Sequence, residues 1–406
     1  MGPMSAPTPS SRAPGDAEEV PVPLLPVLVG ATSLGAGVGV IFPLLAEFQD
    51  RYGFSAEGLG VLSAATFVAA LVSGLLLAGL ADRGRARLMM VGGIALSAVG
   101  LLWFAAGTEL WQFTGARLLE GLGYGVFLPA GRKVVTAGDP AHAGQRLGRL
   151  TSFELGGFLA GPVIGSALSE LVGLWAPLVL IGLFQAALAV WIATVRLPRL
   201  PVDVARGSAL GSFRMLRRGA VAGAALLSLT IFLPVGIYDA LWSRYLTDRG
   251  ASTLFIGIGL SLYSLPIVLF APAGGRLADR IGPVRATALG ICLIIPTTIT
   301  YGLLSVPLLI TAVGLIEALP QSVATPAVQT AMLRACRPEE VAAGQGLAHA
   351  VNQIGAGTAA LLGPVVYEAA GPAVLFSGVA GVMLLLFVLG LTLHRRGGGE
   401  AIAELV

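Results

Sequence analysis

Long apolar runs, separated by short breaks marked by charge or by Pro and Gly, fill almost the whole chain. Reading from break to break predicts twelve helical spans, at 24–48, 56–81, 88–107, 110–134, 147–170, 173–195, 219–246, 253–277, 286–304, 306–333, 342–368 and 371–393. Each is close to the roughly 20 residues that a helix needs to cross a bilayer. The longest hydrophilic interruption, Arg196 to Arg218, divides the spans six and six. The expected fold is an all-α integral membrane protein of two pseudo-symmetric six-helix bundles. Residues 1–22 are expected to form a disordered tail, 23–195 the first bundle, 196–218 a linker, 219–395 the second bundle and 396–406 a second tail.

Composition agrees: 55% of the 406 residues are apolar and 12% charged, against about 25% charged in soluble domains, which excludes a water-soluble globule. The formal charge of +3 is small, but its placement is one-sided. With both termini on one face, 21 of the 25 basic residues fall on that face, three (Arg51, Arg244 and Arg249) on the other, and Arg117 inside a span. Short cytoplasmic loops accumulate Arg and Lys, so both termini are expected on the cytoplasmic side of the cell membrane. The first 22 residues, rich in Pro, Ser and Ala, lack the basic start of a cleavable signal. Cys292 and Cys336 show no metal-ligand spacing and read as small apolar residues. No glycine-rich loop runs into Lys-Ser/Thr and no spaced set of His, Cys and Asp occurs, so no cofactor, no metal, no nucleic acid and no enzymatic activity are expected.

The second half echoes the first. Gly275 to Arg285, GRLADRIGPVR, repeats Ala78 to Arg87, AGLADRGRAR, with Asp82 and Asp279 lying 197 residues apart. Gly161-Pro162 recurs as Gly363-Pro364, and Asp50-Arg51-Tyr52-Gly53 loosely as Asp248-Arg249-Gly250. The charged turns resemble the loop of the major facilitator superfamily of membrane transporters, G-x-L-A-D-R-x-G-R-[RK]. Gly275, Leu277, Ala278, Asp279, Arg280 and Gly282 match it; the first copy departs, with Ala78 in place of the leading glycine and Gly84 one residue early. The resemblance implies two bundles that rock about a central site, with Asp82, Arg83, Arg87, Gly275, Asp279 and Arg280 in a cytoplasmic gate latched when the protein opens outward. Physically, an Asp at a helix end beside an Arg can change partners between two conformations; arginines that only set topology are the alternative.

The fourth span, GARLLEGLGYG, places Arg117 and Glu120 on one helix face. Charge at membrane depth is costly unless paired or wet, so the pair is a candidate site. Burial favours the neutral acid while the guanidinium favours the anion, a balance that suits loading and release of a proton. A static ion pair is the rival reading. The stretch resembles the family pattern R-x-x-[QE]-G-x-G at Arg117, Glu120, Gly121 and Gly123, which implies proton coupling. In the tenth span Glu317, 197 residues after Glu120, has no basic neighbour within four residues along its helix; it reads as a second proton carrier or as a direct contact for a cationic substrate. Asp239 follows Pro234 in the seventh span and lies five residues before Arg244, which suggests an outer gate or vestibule, or a solvated helix end.

In the fifth span, FELGGFLAGPVIG, Gly157, Gly161 and Gly165 bare one face for a close neighbour, and Pro162 interrupts the helix. It resembles the family motif G-x-x-x-G-P-x-x-G-G, with Ser166 in place of the last glycine, which implies export in exchange for protons. By the same resemblance Glu154 abuts the second charged turn and would pair with Arg276 or Arg280; contact with substrate is the alternative. His349, Asn352 and Gln353 give the eleventh span a polar face. Tyr124, Phe127, Tyr238 and Trp242, with Asp239, are candidates to line a cavity for apolar compounds. The whole pattern is most like the drug/proton antiporter branch: a monomer in the lipid bilayer exporting small hydrophobic or cationic compounds against protons by alternating access. Uptake of a sugar or organic acid, and a sensor or lipid translocase on the same fold, are the other readings.

Overall fold

The computed structural model describes residues 24–76, 84–137, 142–195, 209–337 and 340–403. Every regular element among these residues is helical, as expected where no water is at hand to satisfy backbone groups. α1 runs through Leu24–Ile41, a 3₁₀ turn at Phe42–Leu44 and Leu45–Tyr52. The other helices of the first half are α2 (Ala56–Leu76), α3 (Ala86–Ala106), α4 (Leu110–Ala137), α5 (Ala143–Leu171) and α6 (Ala176–Thr194). A 3₁₀ stretch at Ala209–Arg217 leads into α7 (Gly219–Thr247), followed by α8 (Thr253–Ile281), α9 (Pro283–Leu303) and α10 (Pro307–Ala335). The last helical run, Val341–Ala403, is broken at Gly371, whose φ of +81° admits no ordinary side chain, into α11 and α12. Helix α8 continues past the expected end at 277 because nothing interrupts LADRI before Gly282, at φ +92°, and Pro283 starts the next helix.

Among the described residues nine helical stretches are long and apolar enough to cross a membrane, one of them containing both α11 and α12. The two helices outside that set are α4, which carries Arg117, Glu120, Arg132 and Lys133, and α5, which carries Arg146, Arg149, Glu154 and Glu170. Three of these residues, Arg117, Glu120 and Glu154, are among the candidates read from the sequence.

Glycines set the helix spacing. A Cβ at Gly157 would overlap the Thr32 carbonyl oxygen of α1, one at Gly35 the Glu154 carbonyl oxygen of α5, and Cβ atoms at Gly161 and Gly165 would crowd the Ala36 and Val40 carbonyl oxygens at 2.8 and 2.6 Å. The pseudo-equivalent pair, α7 and α11, touches in the same way where Gly236 meets the Ala356 carbonyl. Glycine also serves the junction of the two halves, at Gly60 of α2 against the Leu361 carbonyl of α11 and at Gly257 of α8 against Ser166 of α5. Ser166, the departure from the fifth-span motif, therefore has a glycine facing it, and its hydroxyl is satisfied by the Pro162 carbonyl at 2.8 Å.

Polar contacts between the halves gather at the face away from the termini. Ser243 donates to the Pro43 carbonyl at 2.8 Å and accepts from the Ala46 amide at 3.3 Å; the Leu254 amide donates to Glu170 at 3.1 Å. Thr253 bonds Glu47, and Arg244 bridges Asp50 and Asp248. Toward the terminus-bearing face the helices part. Thr151, Ser152 and Phe153 of α5 and Leu269 and Phe270 of α8 are exposed, and a Cβ at Gly148, Gly156 or Gly275 would meet open space. Toward the terminus-bearing face α5 and α8 are thus apart, while α2 and α11 stay in contact where Gly74 meets His349.

Tight backbone contact at Gly157 but not at its neighbour leads to a direct comparison. Gly157→Ala is expected to destabilise the purified protein by about 1–3 kcal/mol, the usual cost of overpacking, read as a fall in melting temperature. Gly156→Ala is expected to leave the melting temperature unchanged or raise it. Equal effects at both positions would mean that α1 and α5 are not in close contact.

Candidate functional site

The centre of the molecule holds a guanidinium with no access to solvent. Arg117 is 0% exposed, and Glu120 and Asp239 are 1% and 2% exposed. Arg117 donates from one terminal nitrogen to Glu120 Oε2 at 2.8 Å, along its own helix, and from the other to both carboxylate oxygens of Asp239, at 2.9 and 3.1 Å. Asp239 belongs to α7, so this ion pair joins the two bundles within the membrane. The sequence of α4 explains the dryness: Gly121 lets the Thr66 backbone of α2 approach, and Gly123 lets the Gly93 backbone of α3 do the same. Within the ion triad itself two polar atoms have no partner, Arg117 Nε and Glu120 Oε1.

This placement corrects the expectation for Asp239, which is neither in an outer vestibule nor near Arg244. Five residues on a helix do not bring two side chains to one face, whereas four do. Arg244 accordingly takes Asp248, with its Nε 2.7 Å from Oδ1, along with Asp50 of the other bundle.

Glu317 is 1% exposed. It accepts from the Tyr238 hydroxyl at 2.9 and 3.2 Å and from the Tyr301 hydroxyl. Around it Tyr238 packs edge-on against Trp242, Tyr301 and Tyr263, with ring centroids 5.2, 6.2 and 6.4 Å apart. Adjacent residues on α7 thus serve two sites: Tyr238 reaches Glu317 inside the second bundle, and Asp239 reaches Arg117 of the first. Tyr301 was not among the sequence candidates; a lone tyrosine near the end of an apolar span carries no signal until Glu317 is seen beside it.

The remaining candidates divide. Glu154 accepts from the Tyr124 hydroxyl within the first bundle and not from Arg276 or Arg280, because α5 and α8 part toward this end. Phe127 is 0% exposed in the apolar core of the first bundle, against Gly30, Gly93 and Gly131, so it lines no cavity. Gly157, Gly161, Pro162 and Gly165 are at the α1–α5 contact. Asp82 and Arg83 lie outside the described residues. Arg87 and Arg280 are exposed, and Asp279 lies 3.9 Å from Arg334, both exposed. On α11, Asn352 accepts from Ser228 at 3.0 Å, and His349 is beside Gly74 of α2. Gln185 of α6, also missed, donates to the Ser33 carbonyl at 2.8 Å. Chemically, the centre offers buried carboxylates able to hold protons, one cation that bridges two of them, and an aromatic wall.

The family model described as Major Facilitator Superfamily matches this chain over residues 27–242 and again over 224–401. The multidrug resistance protein MdtG of Klebsiella pneumoniae (strain 342) is 25% identical over 392 residues, 92% of this chain and 93% of that protein. Its namesake in Rahnella sp. (strain Y9602) is 26% identical over 387 residues, 91% and 92% of the two chains. Among solved structures, the nucleoside transporter NupG superposes with a TM-score of 0.75 at 16% identity, over 91% of this chain and 98% of that one. A bacterial homolog of the human lysosomal transporter Spinster, inward-facing and unoccupied, gives 0.75 at 15% identity, over 94% and 97%. At these identities the structural likeness concerns the fold.

Removing one member of a buried pair strands the other. Arg117→Leu and Asp239→Leu are each expected to destabilise the protein by about 3–5 kcal/mol, and the double variant by clearly less than the sum. Additive losses in thermal unfolding would mean that the two residues do not interact.

Proposed function

The chain belongs to the Major Facilitator Superfamily, and on that premise we propose that it exports small hydrophobic or cationic compounds in exchange for protons. The observation that carries this reading is the junction at Tyr238 and Asp239, where two buried carboxylate sites meet through one helix. The multidrug-resistance names of the relatives and the glycine-proline pattern of α5 support the direction.

The mechanism follows from what each group does. Residues 23–195 and 219–395 act as the two rocking bodies, joined by 196–218. The arginine-rich face is cytoplasmic, so both termini are inside and the end where α5 and α8 part faces inward. Arg117 draws Asp239 and Glu120 together while both are anionic, and Glu120 takes up and releases the exchanged proton beside it. A proton on Asp239 removes its charge and weakens the only ion pair at mid-depth between the bundles among the described residues, which frees the joined outer face to open. A proton on Glu317 leaves the aromatic wall of Tyr238, Trp242, Tyr263 and Tyr301 neutral; release of that proton restores an anion that attracts a cationic guest held against those rings. Proton and substrate therefore compete for the same negative charge, as exchange requires. On the inner face, Asp279, Arg280 and Arg87 close the cytoplasmic gate in the opposite state. The protein works as a monomer, since each bundle supplies half of the site.

The test uses proteoliposomes with an acidic lumen and a luminal pH dye. Adding lipophilic cations or neutral drugs is expected to evoke alkalinisation, and Glu120→Gln and Glu317→Gln each to reduce it at least about tenfold, the loss of a residue that acts in the transport cycle. If sugars or organic acids instead carry protons in their own direction, the chain is an uptake carrier.

A further inference from the structure

Helix α1 loses its regular ladder at Phe42–Leu44, which forms a 3₁₀ turn, and resumes at Leu45. Pro43 explains part of this, because it has no amide to give to the Gly39 carbonyl and leaves the helix one hydrogen bond short. The rest comes from the other bundle. Ser243 of α7 donates its hydroxyl to the Pro43 carbonyl at 2.8 Å and accepts from the Ala46 amide at 3.3 Å. In an unbroken helix both backbone groups would be used within α1, the carbonyl taking the Glu47 amide and the amide giving to the Phe42 carbonyl. A side chain of the second bundle therefore stands inside the backbone ladder of the first, and such an insertion kinks a helix.

The insertion is sealed from solvent. Ser243 is 2% exposed, and Pro43, Leu44 and Ala46 are buried. A buried carbonyl or amide without a partner is costly, so if α7 draws away, the Pro43 carbonyl and the Ala46 amide need replacements, and the nearest belong to α1 itself. Hydrogen bonds between the bundles are then exchanged for bonds within one helix. The break also falls between two sets of contacts. On one side Gly35 and Gly39 hold α1 against the α5 backbone. On the other, Leu45 and Phe48 pack in the core of the first bundle while Glu47 and Asp50 bond Thr253 and Arg244 of the second.

We infer that Ser243 is a positioning residue that bends α1 from across the bundle interface: with the outer face closed its hydroxyl holds the ladder apart at Pro43, and when α7 withdraws, α1 closes that gap on itself and straightens. The inference rests on the alternating-access reading above. Asp239 stands one turn before Ser243 on the same face of α7 and also bonds the first bundle, at Arg117. Release of that ion pair lets α7 carry Ser243 away. The bend in α1 thus belongs to the outward-closed state.

The experiment measures the separation of spin labels at Glu57 and Glu368, exposed on opposite bundles, in lipid nanodiscs at one fixed pH. Ser243→Ala is expected to move the ratio of long to short distances about fivefold toward long, the loss of one ordinary hydrogen bond. Ser243→Thr keeps the hydroxyl and is expected to restore the original ratio. Pro43→Ala supplies the missing amide and favours the unbroken helix; it is expected to shift the ratio in the same direction, and it serves if Ser243→Ala folds poorly. The double variant is expected to shift no further than the larger single change, since both act on one break. Shifts that multiply mean that the freed backbone groups do not return to the α1 ladder, and overturn the inference. So does an Ala variant that matches the Thr variant. A single short distance in every variant overturns it together with alternating access. Drug-evoked proton flux that is absent while the non-additive shifts are present defeats the export reading and leaves the role of Ser243 standing.

Discussion

A guanidinium in the middle of a membrane has to be neutralised by whatever packs around it, because neither lipid nor water is there to solvate it. Arg117 meets this demand with one carboxylate from its own helix and one from the opposite bundle. Its two partners therefore decide how the halves are held. Burial alone makes the arrangement sensitive to a proton: each carboxylate is in balance between the cost of staying charged out of water and the attraction of the cation, and a change in that balance changes a bond between the two helix bundles. Static stability is poor grounds for retaining such a triad, since apolar residues of similar volume would pack as well. A conformational role explains it better.

The triad stays dry because backbones, not side chains, make the helix contacts around it. Gly121 and Gly123 bring α2 and α3 against α4, and Gly157, Gly161 and Gly165 bring α5 against α1. Stiff, glycine-packed pairs suit bodies that move as units. The junction between the halves uses the same device at Gly60 and Gly257, so small rotations there need not disturb interlocked side chains.

How far the sequence reaches can be followed residue by residue. Spans were legible because each apolar run had to be about one bilayer long, and the repeated charged turn revealed the duplication. Arg117 with Glu120 was legible because three residues share a helix face. Asp239 was visible as a charge, but its partner was not: nothing in a linear sequence says that a seventh-span carboxylate meets a fourth-span arginine, and the neighbouring Arg244 drew attention the wrong way. Glu154 found Tyr124 and not Arg276 or Arg280 because α5 and α8 are apart toward that end, which no linear pattern announces. Phe127 looked like a cavity residue, yet helical spacing is the same for a lining and for a core. Gln185 gave almost no signal, being one amide in an apolar span, and its bond to the Ser33 carbonyl of α1 appears only in the fold.

The central claim is that a proton on Asp239 loosens the bond between the bundles. It is tested most directly by spin labels at Glu57 and Glu368, both exposed at the face away from the termini and on opposite bundles, with their separation measured as a function of pH. In the unmodified protein a single short distance is expected at high pH, with a longer population growing as pH falls. Asp239→Asn is expected to show the longer population at every pH. A distance distribution that ignores pH, and is the same in the Asp239→Asn variant, would contradict the account.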